Sequence, residues 1–219
     1  MCAPIGGALL RTPHYRTTYR NSRPRSETRA LLGNPEPATL AVMFGKLRPY
    51  KGVPEAISRF RAAAGNGEVL VVAGGVSDPA LRREIEAAAA GTDAVRLLFG
   101  DLPELELASL LRAADLSIFN FTRILNSGSL LAALSLDCPV LAPHNPGFED
   151  LARQVGEPGW IDLFDGPLTA RRIRASLDKV VGQRPHGSPD LEAHSVEAVG
   201  EAYRTIYEEA LELRRRELA

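Results

Sequence analysis

From residue 39 onward, short continuous apolar runs alternate with segments whose apolar residues recur every three or four positions. The runs are Thr39 to Phe44, Glu68 to Ala73, Val95 to Phe99, Leu116 to Asn120, Pro139 to Ala142 and Trp160 to Phe164. Runs this short and this uniformly apolar predict strands covered by helices on both faces. Between them the period changes from two to about 3.6. Val53, Ile57, Phe60 and Ala64 define one helical stripe, and Leu81, Ile85 and Ala88 a second. Leu107, Leu110 and Leu111 mark a third, with Asp101 and Pro103 expected as its cap and first-turn residues. Further helices are predicted from about Ser127 to Leu136, Phe148 to Val155 and Leu168 to Val181. Strand followed by helix, repeated in this way, predicts an α/β fold: a Rossmann-like, doubly wound parallel sheet of about six strands. In such sheets ligands bind beyond the carboxyl ends of the strands, which directs attention to the loops after the apolar runs.

The flanks differ from this core. Residues 1–37 are rich in Arg, Thr, Ser and Pro and carry a helical pattern only from Ser26 to Leu32, so they read as a connecting arm. A Pro/Gly/Ser break from Gln183 to Pro189 separates the sheet region from a last segment, Asp190 to about Arg216, which the pattern predicts as one helix. Its apolar positions are Val196, Val199, Tyr203, Ile206, Tyr207, Ala210 and Leu213, and Arg214 to Arg216 suit the negative end of its dipole. The expected organisation is an arm over 1–37, an α/β domain over 38–182, and a linker with the long C-terminal helix over 183–219.

Composition narrows the function classes. The 219 residues hold 26 Lys and Arg against 27 Asp and Glu, a formal charge of -1, so no global field draws nucleic acid. Any anion must be held by a local site. Cys2 and Cys138 lie far apart without metal-ligand spacing, and the stretch Ala3 to Leu10 is too short to span a bilayer. The expectation is a reduced cytoplasmic protein, membrane-peripheral at most.

Two loops carry candidate chemistry. Phe44-Gly45-Lys46-Leu47-Arg48-Pro49-Tyr50-Lys51-Gly52 follows the first strand and runs into a helix, joining a glycine turn to a concentration of cations. That combination suits an anion beside a helix N-terminus. Arg123-Ile124-Leu125-Asn126-Ser127-Gly128-Ser129-Leu130 follows the fourth strand, and its Ser-Gly-Ser supplies unobstructed backbone N–H groups and two hydroxyls at a helix start. His144, in Pro143-His144-Asn145-Pro146-Gly147, stands near another strand end, while Glu149 and Asp150 are accounted for by helix-dipole compensation. No Gly-x-Gly-x-x-Gly follows the first strand, which disfavours a dinucleotide oxidoreductase. His14, His144, His186 and His194 are scattered and no Asp-x-Asp is present, so no metal is expected.

Gly45-Lys46-Leu47 with Lys51-Gly52 resembles the Gly-Arg-Leu and Lys-Gly pattern that opens the C-terminal domain of GT-B glycosyltransferases of the large retaining group called family 4. Ala132 to Pro143, ending Asp137-Cys138-Pro139-Val140-Leu141-Ala142-Pro143, resembles that family's helix and its Gly-x-Pro-Val strand. Pro13-His14-Tyr15-Arg16, with Tyr19 and Asn21, is similar to the crossover into this domain in polysaccharide-building members.

The resemblance implies a domain that binds a nucleoside-diphosphate sugar, a UDP- or GDP-sugar, for transfer to a glycan, a lipid-linked glycan or a small molecule. It implies that Lys46 and Lys51 neutralise the diphosphate, that Ser127, Gly128 and Ser129 cradle it, and that Arg123 adds a further cation. Phe99 and Gly100, with Asp101, would line the base pocket through backbone atoms, and Gly74 and Gly75 would form the loop beside the sugar. Many members carry two glutamates around the second loop; the aligned positions here are Ile124 and Ala132, which leaves ribose recognition open. No cofactor is expected beyond the sugar nucleotide. The implied partners are an N-terminal acceptor domain or a separate polypeptide, and a homo-oligomer through the C-terminal helix; nucleic acid is not among them. A chain of this kind alone is expected to be inactive in transfer, and a non-catalytic GT-B-like subunit that activates another chain is the alternative.

Overall fold

The computed structural model describes residues 16–33, 38–123, 127–156 and 159–217, without the side chains of 216 and 217. Within them the six apolar runs become six parallel strands: β1 (Leu40–Phe44), β2 (Val69–Gly74), β3 (Val95–Phe99), β4 (Leu116–Ile118), β5 (Val140–Pro143) and β6 (Ile161–Phe164). Their order is β3-β2-β1-β4-β5-β6. Every residue of β1, β2 and β4 is buried, which explains why these runs carry no alternation of apolar and polar positions. Only β3, at an edge, exposes part of its length.

The helices are α1 (Arg25–Leu31), α2 (Val53–Ala63), α3 (Pro79–Ala89), α4 (Glu104–Ala113), α5 (Gly128–Leu134), α6 (Pro146–Gln154), α7 (Ala170–Gly182) and α8 (Val196–Glu217). The hydrophobic residues of α4, α5 and α6 pack on one face of the sheet, with Phe44, Phe119 and Phe121 among them. Those of α2, α3 and α7 pack on the other, around Ile57, Phe60, Ile85, Ile173 and Leu177.

Two sequence expectations fail locally. The cap of α4 is Pro103, which makes no side-chain capping bond, so Asp101 is not its cap and Pro103 lies outside its first turn. A proline at this position has no side-chain oxygen to offer, and Glu104 and Glu106 in the first turn answer the dipole instead. The last segment is not one helix from Asp190: a single 3₁₀ turn at Glu192–His194 comes first, and α8 begins after the extended Ser195. The Ser195 hydroxyl accepts from the Ala198 N–H at 3.1 Å, which sets the start of α8. Along α8, Val199 is buried whereas Val196, Tyr207, Leu211 and Leu213 are more than half exposed.

The arm is fastened to the domain by an ionic hub at the amino ends of the strands. Asp115, just before β4, accepts from the guanidinium groups of Arg25 and Arg29, from Arg184 at 3.3 Å and from the Leu40 N–H at 2.8 Å. Arg29 is 1% exposed and also donates to the carbonyls of Ala113 and Ala38. Guanidinium groups at the carboxyl end of α4 thus satisfy carbonyls that the helix itself leaves unpaired. Cys138 is buried beside Ser117, and burial pushes its thiol up to about 12, which makes it an inert core residue. Cys2 and the stretch Ala3 to Leu10, with Pro13 to Tyr15 of the arm motif, lie outside the described residues. No described helix is long and apolar enough to cross a membrane.

Candidate functional site

The strand order reverses between β1 and β4, which sends the chain to α2 on one face and α5 on the other. The loops leaving these two strands therefore open a crevice at the carboxyl rim, the usual ligand position of such sheets. The first loop rises from Gly45 through a 3₁₀ turn, Pro49–Lys51, into Gly52, whose φ of 56° starts α2. That left-handed turn has a second requirement: a β-carbon at Gly52 would stand 2.5 Å from Asn120 Nδ2 and 2.8 Å from the Asn120 carbonyl oxygen. Asn120 is buried at the end of the fourth apolar run and donates from Nδ2 to the Gly52 carbonyl at 3.0 Å. The two loops are thereby locked together.

This lock turns Lys51 inward. Its side chain is 6% exposed, with Nζ donating to the Phe44 carbonyl at 3.0 Å and lying 5.9 Å from the centre of the Phe121 ring. Burial pulls its pKa down from 10.5 to about 8. No carboxylate accepts from Lys51 among the described residues. A half-satisfied buried ammonium of this kind favours any anion that reaches it.

Ser127 caps α5, its hydroxyl accepting from the Leu130 N–H at 3.3 Å, and Gly128 is exposed with no heavy atom within 4 Å of its β-carbon position. Ser129 meets Lys51 across Gly45: the empty β-carbon position of Gly45 is 3.2 Å from Lys51 Nζ and 3.4 Å from Ser129 Oγ. The absence of a side chain at Gly45 keeps the space between amine and hydroxyl open. Gly45 in turn abuts the second strand's exit. A β-carbon at Gly74, where φ is 141°, would overlap the Gly45 carbonyl oxygen and stand 2.8 Å from its carbon. Gly74→Ala is therefore expected to displace the Gly45 turn and cost at least about 2 kcal/mol in a urea titration, given strain and overlap together. A variant as stable as the wild type would show that the two turns can separate freely.

The remaining residues singled out in the sequence spread along the same rim. Gly75 accepts at its carbonyl from the Leu47 N–H at 2.9 Å, and Gly100 donates from its N–H to the Gly74 carbonyl at 3.2 Å, so the exits of β1, β2 and β3 are stitched side by side. Phe99 is half-buried under Arg82, whose guanidinium lies 4.7 Å from the ring centre. Lys46 and Arg123 are exposed and form no ion pair among the described residues, whereas Arg48 donates to the Ser77 hydroxyl at 3.1 Å. Ile124 lies outside the described residues, and Ala132 is buried in α5, where it contributes packing only.

His144 sits at the end of β5 between two carboxylates, 3.5 Å from Glu149 and 3.4 Å from Asp165, and the structure gives it those neighbours rather than Lys51 or Ser129. Among the described residues no group of His, Cys, Asp and Glu has the arrangement of a metal site. Sequence reasoning missed Asn120 and the aromatic floor of the crevice. In that floor Phe119 and Phe121 lie 5.1 Å apart, with Phe44 and Tyr50 against them. The only trace of both was a polar residue set between two phenylalanines at the end of an apolar run.

No family model matches the chain. Its fold matches solved glycosyltransferases. It aligns with the C-terminal domain of LpcC, a group 1 glycosyl transferase from Francisella tularensis, at a TM-score of 0.56 and 20% identity, covering 75% of this chain and 86% of that one. It aligns with Anabaena Alr3699/HepE in complex with UDP at 0.60 and 16% identity, covering 87% of this chain and 54% of that one. WaaG, a glycosyltransferase of lipopolysaccharide biosynthesis, gives 0.56 and 20% identity over 73% of this chain and 42% of that one. The chain thus has the architecture of a C-terminal GT-B glycosyltransferase domain. In sequence it is similar to the GDP-mannose:glycolipid 4-beta-D-mannosyltransferase of Xanthomonas campestris pv. campestris, with 33% identity over 168 residues. That alignment takes in 77% of this chain and 48% of that protein, so the chain spans about half the length of the curated relatives it matches.

Proposed function

We propose that the chain is the donor-binding half of a mannosyltransferase that takes GDP-mannose and delivers the sugar to a glycolipid. The observation that carries this reading is the meeting of Lys51 Nζ and Ser129 Oγ across the bare Gly45, at the switch point of the sheet. The relative's substrate supplies the identity of the donor. In this reading the diphosphate enters between the two loops and accepts hydrogen bonds from Lys51, the Ser129 hydroxyl and the first N–H groups of α5, while Lys46 and Arg123 approach from solvent. As the bond from sugar to phosphate breaks, negative charge grows on the departing nucleotide, and donors already fixed in a partly desolvated crevice stabilise it without reorganising.

The acceptor's hydroxyl and the base that deprotonates it belong in this reading to another domain or chain, in keeping with the half-length match to the relatives. A β-mannoside formed from an α-linked mannosyl diphosphate is a product of inversion, and we take inversion, rather than the retention that the family resemblance implies, as the outcome here. The domain limits at 38 and 182 and the association of α8 with an acceptor domain belong to the same proposal; the exposed Tyr207, Leu211 and Leu213 support the latter.

Isothermal titration of the chain with GDP, UDP and TDP tests the donor reading directly. Saturable heat with GDP in the micromolar to millimolar range is expected. A flat titration with all three nucleotides, in protein that melts cooperatively, would sink it.

A further inference from the structure

The carboxyl ends of α4 and α5 meet the arm and the linker ahead of α8 around a cavity of about 340 Å³. It lies where the chain enters β4 and β5, at the amino ends of the strands and therefore on the opposite side of the sheet from the Lys51 crevice. Its volume falls within the range of small-molecule sites. Leu134, Pro189 and Leu191, all buried, supply the apolar part of the lining, and Tyr19, packed against the same core, adds an aromatic ring. Arg16 and Arg112 are exposed lining residues. The arm is tied down on either side of Tyr19: the Arg16 N–H donates to the His194 carbonyl at 2.6 Å, and the Arg23 N–H to the Ser109 hydroxyl at 2.8 Å.

Asp137 lines the same cavity with a φ of 56°, the one non-glycine residue in the left-handed region among the described residues. Glycine would serve its backbone equally well. The Asp137 N–H donates to the Leu134 carbonyl at 3.0 Å and its carbonyl accepts from Arg184 at 3.3 Å, and neither bond involves the side chain. The carboxylate accepts no hydrogen bond among the described residues, and its ion pair with Arg112 spans 3.9 Å. Arg16 forms no ion pair among the described residues. One carboxylate and two guanidinium groups thus line one cavity with their hydrogen-bonding capacity unspent, the carboxylate at a backbone cost. A bare anion suits the arginines but is repelled by Asp137. An uncharged sugar suits the carboxylate, whose two oxygens accept from adjacent hydroxyls, but gives the arginines no counter-charge. A sugar with an anionic substituent satisfies all three groups and lays its C–H surface on Tyr19 and the leucines. We propose that this cavity is a second ligand site, for a sugar bearing a phosphate or a carboxylate, whose hydroxyls donate to Asp137 and whose anionic group accepts from Arg16 and Arg112. The site is independent of the donor reading.

The test is isothermal titration of the full chain with the 6-phosphates of glucose and mannose, glucuronate, the two parent sugars and inorganic phosphate. At least one charged sugar should bind about tenfold or more tightly than its parent sugar and than phosphate, and which of them does so identifies the anionic group. Asp137→Gly should lose about tenfold for that ligand, gain affinity for phosphate, and melt above the wild type, because glycine relieves the backbone. Arg112→Gln should bring the charged sugar down towards its parent. Charged sugars that bind no better than phosphate overturn the proposal, leaving a surface that attracts anions only. Asp137→Gly that melts below the wild type, or that binds the charged sugar undiminished, also overturns it and makes Asp137 a residue of the fold.

Discussion

Lys51→Met is expected to weaken GDP binding by about 1.5 to 3 kcal/mol, or roughly 10- to 150-fold, without destabilising the fold at pH 7. The first part follows from the position of Nζ beside Ser129 Oγ at the mouth of the crevice, where a charge-assisted bond to phosphate is lost. The second follows from the pKa of about 8, set by burial. Between that value and the ordinary lysine value of 10.5 the unfolded chain holds more protons than the folded one, so wild-type stability rises with pH across this window. Below pH 8 the fold carries the whole cost of keeping the ammonium dry, at the upper limit about 3 kcal/mol. Methionine fills similar volume without that cost.

Binding has the opposite sign. The charged amine is needed for the diphosphate, so GDP affinity of the wild type should fall as pH rises from 7.5 to 10, while Lys51→Met shows a flat profile. Titrations and thermal melts at both ends of that range decide the matter. If Lys51→Met melts well below the wild type at pH 7, the lysine is a structural residue and its desolvation is not a reserve held for a ligand.

Asp115→Ala should produce the largest loss of stability of any single change at the amino ends of the strands, about 3 to 5 kcal/mol. Removing the carboxylate takes from Arg29, 1% exposed, an acceptor that it shares with Arg25 and Arg184, and also orphans the Leu40 N–H where β1 begins. The expected readout is a lower midpoint in urea with an unchanged slope for the remaining transition. A double change, Asp115→Leu with Arg29→Met, should recover much of the loss, because an apolar pair of similar volume costs less than a buried guanidinium that has lost one of its acceptors. If Asp115→Ala unfolds at the wild-type midpoint, the hub contributes nothing and the arm is held by other contacts, such as Arg23 on Glu106.

Those two residues also mark the limits of reading the chain unaided. Lys51 stands in a loop whose place after a strand suits an anion, and the family resemblance implies a diphosphate there, but its burial is not legible in the sequence, because nothing local to Pro49-Tyr50-Lys51-Gly52 reveals that Asn120 and Phe121 will close over it. Asp115 stands just ahead of the fourth apolar run and carries no local signal of its role. Its partners come from the arm at Arg25 and Arg29 and from the linker at Arg184, far away along the chain. Asp101 has the residue type of a helix cap, but α4 begins two residues further on, where Pro103 holds the capping position.

The sequence by itself determined the strands, their burial and the glycine-bearing loops proposed to hold the donor, since side-chain period and turn residues are local properties that a strand or helix must display wherever it sits. Only the tertiary structure decided that β1 and β4 are neighbours, that Lys51 and Ser129 meet over a missing side chain, and that Asp101 leans over Gly75 instead of capping α4. Pairing order, desolvation and the gaps left by glycine arise from residues distant in the chain being packed together, and no local pattern encodes them.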